Sequence, residues 1–258
     1  MLKLSGISKN YNKEKALDNL DLEVNDGDFI TIIGSNGAGK STLFNIISGT
    51  IISDSGTIKL DDKDITFLKE YKRKDISHIF QDTMHNVCPD LTIEENFALA
   101  YLNFKNRPFL STISKKDKEF IKEQCALLNM GLEDRLDTPI GLLSGGQRQA
   151  LTLLLATLNK PKVLLLDEHT AALDPKMANK IMELTTRLVE ENKITTLMIT
   201  HDINLALKTG NKTIMMDKGK IILTLEGEER KKMTYNDVLN LYASHLVNIS
   251  DDLLLKSF

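Results

Sequence analysis

Gly34-Ser35-Asn36-Gly37-Ala38-Gly39-Lys40-Ser41 fits the pattern G-x-x-x-x-G-K-[ST] without a mismatch. Glycines at these positions let the backbone curl until several N–H groups converge on one anion. The following helix adds the positive end of its dipole. Lys40 has the reach and charge for β- and γ-phosphates, and the Ser41 hydroxyl suits Mg²⁺, a hard cation that takes oxygen ligands. The competing reading is a glycine-rich turn that binds nothing. The sequence around the loop argues against it, because a buried strand precedes the loop and a helix follows. A second group of this kind is Leu143-Ser144-Gly145-Gly146-Gln147, a serine and two glycines opening a helix. It is an anion site by the same physics. A third is Asp167-Glu168 at the end of the apolar run Val163-Leu164-Leu165-Leu166. Strand ends of this polarity are where α/β folds bind ligands. There one carboxylate can hold Mg²⁺ and the other can polarise a water; alternatively, one of them merely caps the next loop.

These groups need elements to position them. Leu20–Val24 alternates apolar and polar residues, as a half-exposed strand does, while Phe29–Ile33 reads as a buried strand. Gly56–Leu60 and Ile76–Phe80 read as further strands, and Thr42–Ser48 as a helix. From about Asp82 to Leu158 the pattern turns helical, over Thr92–Asn103, Lys115–Asn129 and Gly145–Leu158. Strand–helix alternation returns with Val163–Leu166 and a helix opened by Asp174-Pro175 as N-cap and first-turn proline. Met177, Ile181, Leu184 and Leu188 fall on one face of that helix. Ile194–Thr200, Ile214–Met216 and Ile221–Leu225 read as strands, and Thr234–Tyr242 as a tail helix. The fold class is therefore α/β, with a helical insertion.

Composition narrows the function. The chain has 258 residues, a net charge of −3 and 27% charged residues, and that length allows one large domain or two small ones. No apolar run approaches the roughly 18–20 residues of a membrane span, and the first residues lack a signal-peptide core. Cys88 and Cys125 form no disulfide framework and no zinc pattern, as expected of a chain in a reducing cytosol. The mild acidity weighs against nucleic acid as a partner.

The three groups together resemble the ATP-binding subunit of an ABC transporter, across roughly residues 1–225; the pentapeptide at 143–147 is the most specific part. The resemblance implies a P-loop NTPase core, with a RecA-like sheet and an antiparallel β-subdomain, over 1–81 and 159–225. It implies a helical signature subdomain over 82–158 and a C-terminal tail over 226–258. It also implies ATP with Mg²⁺, held by Gly34, Ser35, Asn36, Gly37, Ala38, Gly39, Lys40, Ser41 and Thr42. Tyr11 would be the aromatic that stacks on adenine, against the alternative of a surface tyrosine at a strand end. Gln81 would contact Mg²⁺ and the attacking water and pass nucleotide state to a membrane partner. Asp167 and Ser41 would be metal ligands, and Glu168 the group that activates water. His201, in Ile199-Thr200-His201-Asp202, would bind the γ-phosphate. Asp174 would lie in the loop that crosses a dimer interface. Ser144, Gly145, Gly146 and Gln147 would reach the nucleotide of a second subunit. His169 and Ala171 depart from the residues common in the family, proline and serine; neither is a core catalytic position, and both could mark a subgroup.

The expected function is ATP hydrolysis that closes a head-to-tail dimer and drives a permease, importing a small solute such as an amino acid. The segments around Thr92–Asn96, Gly141–Leu158 and Asp167–Pro175 resemble amino-acid-type importers, some of them associated with tryptophan or tyrosine. The implied partners are a second copy, transmembrane permease subunits and an extracytoplasmic substrate-binding protein. The implied location is the cytoplasmic face of the membrane. An exporter ATPase is the main alternative. A chromosome-maintenance ATPase would need a long coiled coil between Lys40 and Ser144, and a P-loop GTPase would need an NKxD motif; neither is present.

Overall fold

The computed structural model describes residues 1–105 and 113–243, with side chains for 1–101 and 113–243. Two compact units divide the chain: Met1–Lys69 with the described residues from Leu197 on, and Glu70–Thr196. The second is wider than the expected helical segment 82–158, because it takes in the strands and helix that flank that segment.

The first unit begins with β1 (Leu2–Tyr11) and β2 (Glu14–Val24), paired antiparallel. Leu2 faces Val24 and Leu4 faces Leu22, all four side chains being buried. The alternating pattern thus sets the register. β3 (Phe29–Gly34) is buried along its length except at Gly34. It leads through the glycine-rich loop into α1 (Lys40–Ser48). That helix starts two residues earlier than the pattern at Thr42–Ser48 suggests, because Gly39 in left-handed conformation occupies its N-cap. β4 (Ser55–Leu60) and the short β5 (Lys63–Asp64) complete a four-stranded antiparallel sheet of order β2-β1-β4-β5.

In the second unit β6 (Ile76–Ile79) precedes three helices: α2 (Ile93–Lys105), α3 (Lys115–Ala126) and α4 (Gly145–Thr157). The strand β7 (Val163–Asp167) lies parallel to β6, as a crossover connection requires. α5 (Pro175–Asn192) buries Ile181, Leu184, Thr185 and Leu188 on one face and packs against α4.

The strand β8 (Thr195–Ile199) returns the chain to the first unit. There α6 (Ile203–Lys208), β9 (Lys212–Asp217), β10 (Lys220–Glu226) and α7 (Gly227–Lys232) follow. β9 runs parallel to β3, and β10 antiparallel to β9. A helix at 235–243 ends the described chain. Its Val238 is fully buried among Ile33, Ala206, Met215 and Leu225. α7 is pinned by Arg230. That guanidinium donates to Thr213 Oγ1 and Gly210 O at 2.9 Å, to Ala206 O at 2.8 Å, and to Thr209 O.

Candidate functional site

In the first unit the phosphate-type loop is held by backbone geometry that only glycine tolerates. Gly34 has φ 152°, and a Cβ there would lie 2.2 Å from Met216 O. The Gly219 N–H donates to Ala38 O at 3.1 Å, and the Asp18 N–H donates to Gly219 O at 3.1 Å. The β9–β10 turn thereby ties the loop to β2. Lys40 is buried, and its ammonium donates to Gly34 O at 2.8 Å and Ser35 O at 2.9 Å. The side chain curls over its own loop, its charge at the loop centre. Ser41 and Asn36 are exposed, and Thr42 is half-buried behind them.

His201, on the turn after β8, is exposed and lines a cavity of about 150 Å³ with Gly34, Ser35 and Thr200. The 235–243 helix closes that cavity with Leu239 and Tyr242. Sequence reasoning missed two residues here. Asp217 is buried and accepts from Ser35 Oγ at 3.3 Å, and Tyr242 OH reaches the same carboxylate oxygen at 3.4 Å. Their separation in sequence hides the connection. Tyr11 sits 45% exposed at the end of β1, with the Lys9 ammonium 6.0 Å from its ring centroid. A ring partly open to solvent is what stacking on a base needs.

In the second unit Asp167 ends β7, and Glu168 turns out of the strand at φ 47°. Gln81 Nε2 donates to Glu168 Oε2 at 3.2 Å, so the structure brings these two site candidates together. Gln81 is held from both sides. The Phe80 N–H donates to Asn86 Oδ1 at 3.0 Å, and Asp82 caps the turn Thr83–His85 by accepting from the Met84 N–H at 2.9 Å. Beyond it lies a cavity of about 380 Å³ lined by His78, His85, Cys88, Asn96, Thr152 and neighbours. Asn96 organises its rim, accepting from the Cys88 N–H and donating to the carbonyls of Cys88, Leu91 and Thr92.

Ser144 caps α4 in a capping box: its Oγ accepts from the Gln147 N–H at 3.3 Å, and Gln147 Oε1 accepts from the Ser144 N–H at 3.2 Å. Gln147 also donates to Met130 O at 3.3 Å. Gly145 is exposed, and Gly146 is buried, where a Cβ would meet Met177 Cγ at 2.5 Å. The helix N-terminus is therefore open at Ser144 and Gly145 and closed beneath. Asp174 caps α5, its Oδ1 accepting from the Met177 N–H at 3.0 Å.

Taken residue by residue, the donor types fit Mg²⁺. Among the described residues no cluster of three His, Cys, Asp or Glu forms an all-protein cage. Mg²⁺ uses one or two carboxylates together with phosphate oxygens. Asp167, Gln81 and Ser41 are hard oxygen donors of that kind.

A family model described as "ABC transporter" matches residues 17–171. A tyrosine transport ATP-binding protein of Clostridioides difficile is 43% identical over 248 residues, covering 94% of this chain and 98% of that protein. A methionine import ATP-binding protein of Clostridium tetani is 32% identical over 254 residues, covering 93% and 76%. A spermidine/putrescine import ATP-binding protein of Vibrio cholerae is 34% identical over 247 residues, covering 96% of this chain and 62% of that longer protein. Among solved structures, a dimeric ATP-binding cassette in a post-hydrolysis state with ADP and Pi superposes with a TM-score of 0.74 at 30% identity, covering 88% and 98%. The ADP conformation of another ABC transporter cassette gives 0.77 at 28%, covering 94% and 98%.

Proposed function

The chain belongs to the ABC transporter family as an ATP-binding, ATP-hydrolysing subunit, and we propose that it powers import of a small solute, an amino acid of the tyrosine type. The 43% identity to a tyrosine transport protein over nearly both full lengths supports the substrate class. Relatives named for import favour that direction over export.

The observation that carries the hydrolytic reading is the Gln81–Glu168 hydrogen bond at the end of β7. In this reading Lys40 and the N–H groups of Gly34–Thr42 hold the phosphates, and Tyr11 stacks on adenine. Ser41, Gln81 and Asp167 supply the oxygen donors for Mg²⁺. When bound, that ion neutralises charge on the phosphates. Glu168 orients a water and takes its proton, and Gln81 fixes the carboxylate. His201 donates to the γ-phosphate. Ser144, Gly145, Gly146 and Gln147 of one copy, flanked by Asp174, complete the site of a second copy, which fits the open N-terminus of α4. Closure of the pair, transmitted through the Gln81 segment, drives the permease from the cytoplasmic face of the membrane. No helix among the described residues is long and apolar enough to cross a membrane. In this reading the solute passes through permease subunits, and an extracytoplasmic binding protein presents it.

The test is a mixing experiment with Ser144→Arg, which places a bulky cation at the helix opening. The variant is expected to bind ATP as well as wild type and to poison wild-type ATPase activity when mixed with it. Additive activities in the mixture would contradict the shared site.

A further inference from the structure

Asp167 ends β7 and Glu168 follows it, both half-buried, but the next residue goes inward. His169 is 3% exposed, and its Nε2 lies 3.1 Å from Thr185 Oγ1, a fully buried hydroxyl in the middle of α5. That hydroxyl already donates its one hydrogen to Ile181 O at 2.8 Å. It can therefore only accept from the imidazole, which assigns the proton to His169 Nε2.

The anchor sits where the chain needs one. Glu168 has φ 47°, a left-handed conformation that a side-chain-bearing residue adopts only when its surroundings hold it there. A turn bond supports it, from the Ala171 N–H to Glu168 O at 3.0 Å. Releasing His169 would let Glu168 relax toward ordinary strand geometry and carry its carboxylate away from Gln81 Nε2.

We propose that His169 is a positioning residue: its bond to Thr185 holds the turn that keeps Glu168 facing Gln81, and so sets the rate of the hydrolytic step but not the affinity for ATP. This rests on the reading of Glu168 as the group that orients water.

The experiment measures kcat and KM for ATP in four single variants and one double variant of the full chain. His169→Phe keeps the ring volume without a donor, Thr185→Val removes the acceptor, His169→Gln retains a donor, and Glu168→Gln checks the underlying reading. His169→Phe and Thr185→Val should each lower kcat by about tenfold with KM held within about twofold. His169→Gln should recover most of the loss. The double variant His169→Phe/Thr185→Val should be no slower than either single one, because both break one bond. If His169→Phe does not fold, Thr185→Val reads the same bond through a single hydroxyl-to-methyl change. Wild-type kcat in folded Thr185→Val, or a loss carried by KM alone, overturns the proposal while leaving Glu168 in its role if Glu168→Gln is inactive. Wild-type turnover by Glu168→Gln removes the reading of Glu168 and this proposal with it.

Discussion

Two glycines of the phosphate loop look equivalent in sequence and differ in surroundings. Gly37 has φ 80° and Gly39 φ 96°, so alanine at either is conformationally disfavoured by about 1–2 kcal/mol. A gain of about 0.4–1 kcal/mol from a less flexible unfolded chain offsets part of that. At Gly37 nothing lies within 4 Å of the added Cβ, so Gly37→Ala should cost roughly 1 kcal/mol or less. At Gly39 the Cβ would lie 2.3 Å from Ala16 O and 3.0 Å from Leu17 Cδ2. Backbone must move, and the bonds joining Asp18, Gly219 and Ala38 resist it. Overpacking of this kind adds about 1–3 kcal/mol, which brings Gly39→Ala to roughly 2–4 kcal/mol. At about 2–4 °C per kcal/mol, melting should fall by roughly 4–16 °C for Gly39→Ala and by no more than about 4 °C for Gly37→Ala. Circular dichroism melts of both variants make the comparison. Adding ATP should raise the wild-type melting temperature, and the rise should shrink in Gly39→Ala, whose helix start is displaced. Equal losses in the two variants, or a larger loss at Gly37, would refute the packing argument.

Acid should destabilise the fold through two histidines. Burial pushes the pKa of both His78 and His169 down to about 4, against an ordinary 6.5. As pH falls below 6.5 the unfolded chain takes up protons that the folded chain refuses, so stability is lost progressively between pH 6.5 and 4. The slope should be on the order of 1 kcal/mol per pH unit for each group, read from urea midpoints, and a flat profile down to pH 4.5 would contradict it. Arg230→Met keeps the aliphatic stem but removes the donors that serve Thr213, Gly210, Ala206 and Thr209. It should cost about 3–5 kcal/mol in denaturant unfolding, and a loss below about 1 kcal/mol would mean that water replaces those bonds.

Local chemistry was legible in the sequence, and distant pairing was not. The loop Gly34–Ser41 and the caps at Asp174-Pro175 and Ser144–Gln147 are decided by neighbours in the chain, and they stand where their residue types place them. The bond between Gln81 and Glu168 spans 87 positions, and no spacing rule reaches so far. Likewise α6 and α7, six residues each, are too short for an apolar period to stand out. Arg230 reads as one of a run of charges, Arg230-Lys231-Lys232, until its partners at 206–213 are in place. His169 reads only as a departure from the family's proline, because its partner Thr185 lies sixteen residues on. Asp217 and Tyr242 meet Ser35 only through the packing of the last described helix.

The most direct test of the account is the fate of ATP on Glu168→Gln. The purified variant is given ATP with Mg²⁺, separated by gel filtration, and its bound nucleotide is identified. The account predicts a dimer that retains intact ATP, because binding and closure survive while water is no longer activated. A monomer carrying ADP, formed at the wild-type rate, would contradict it.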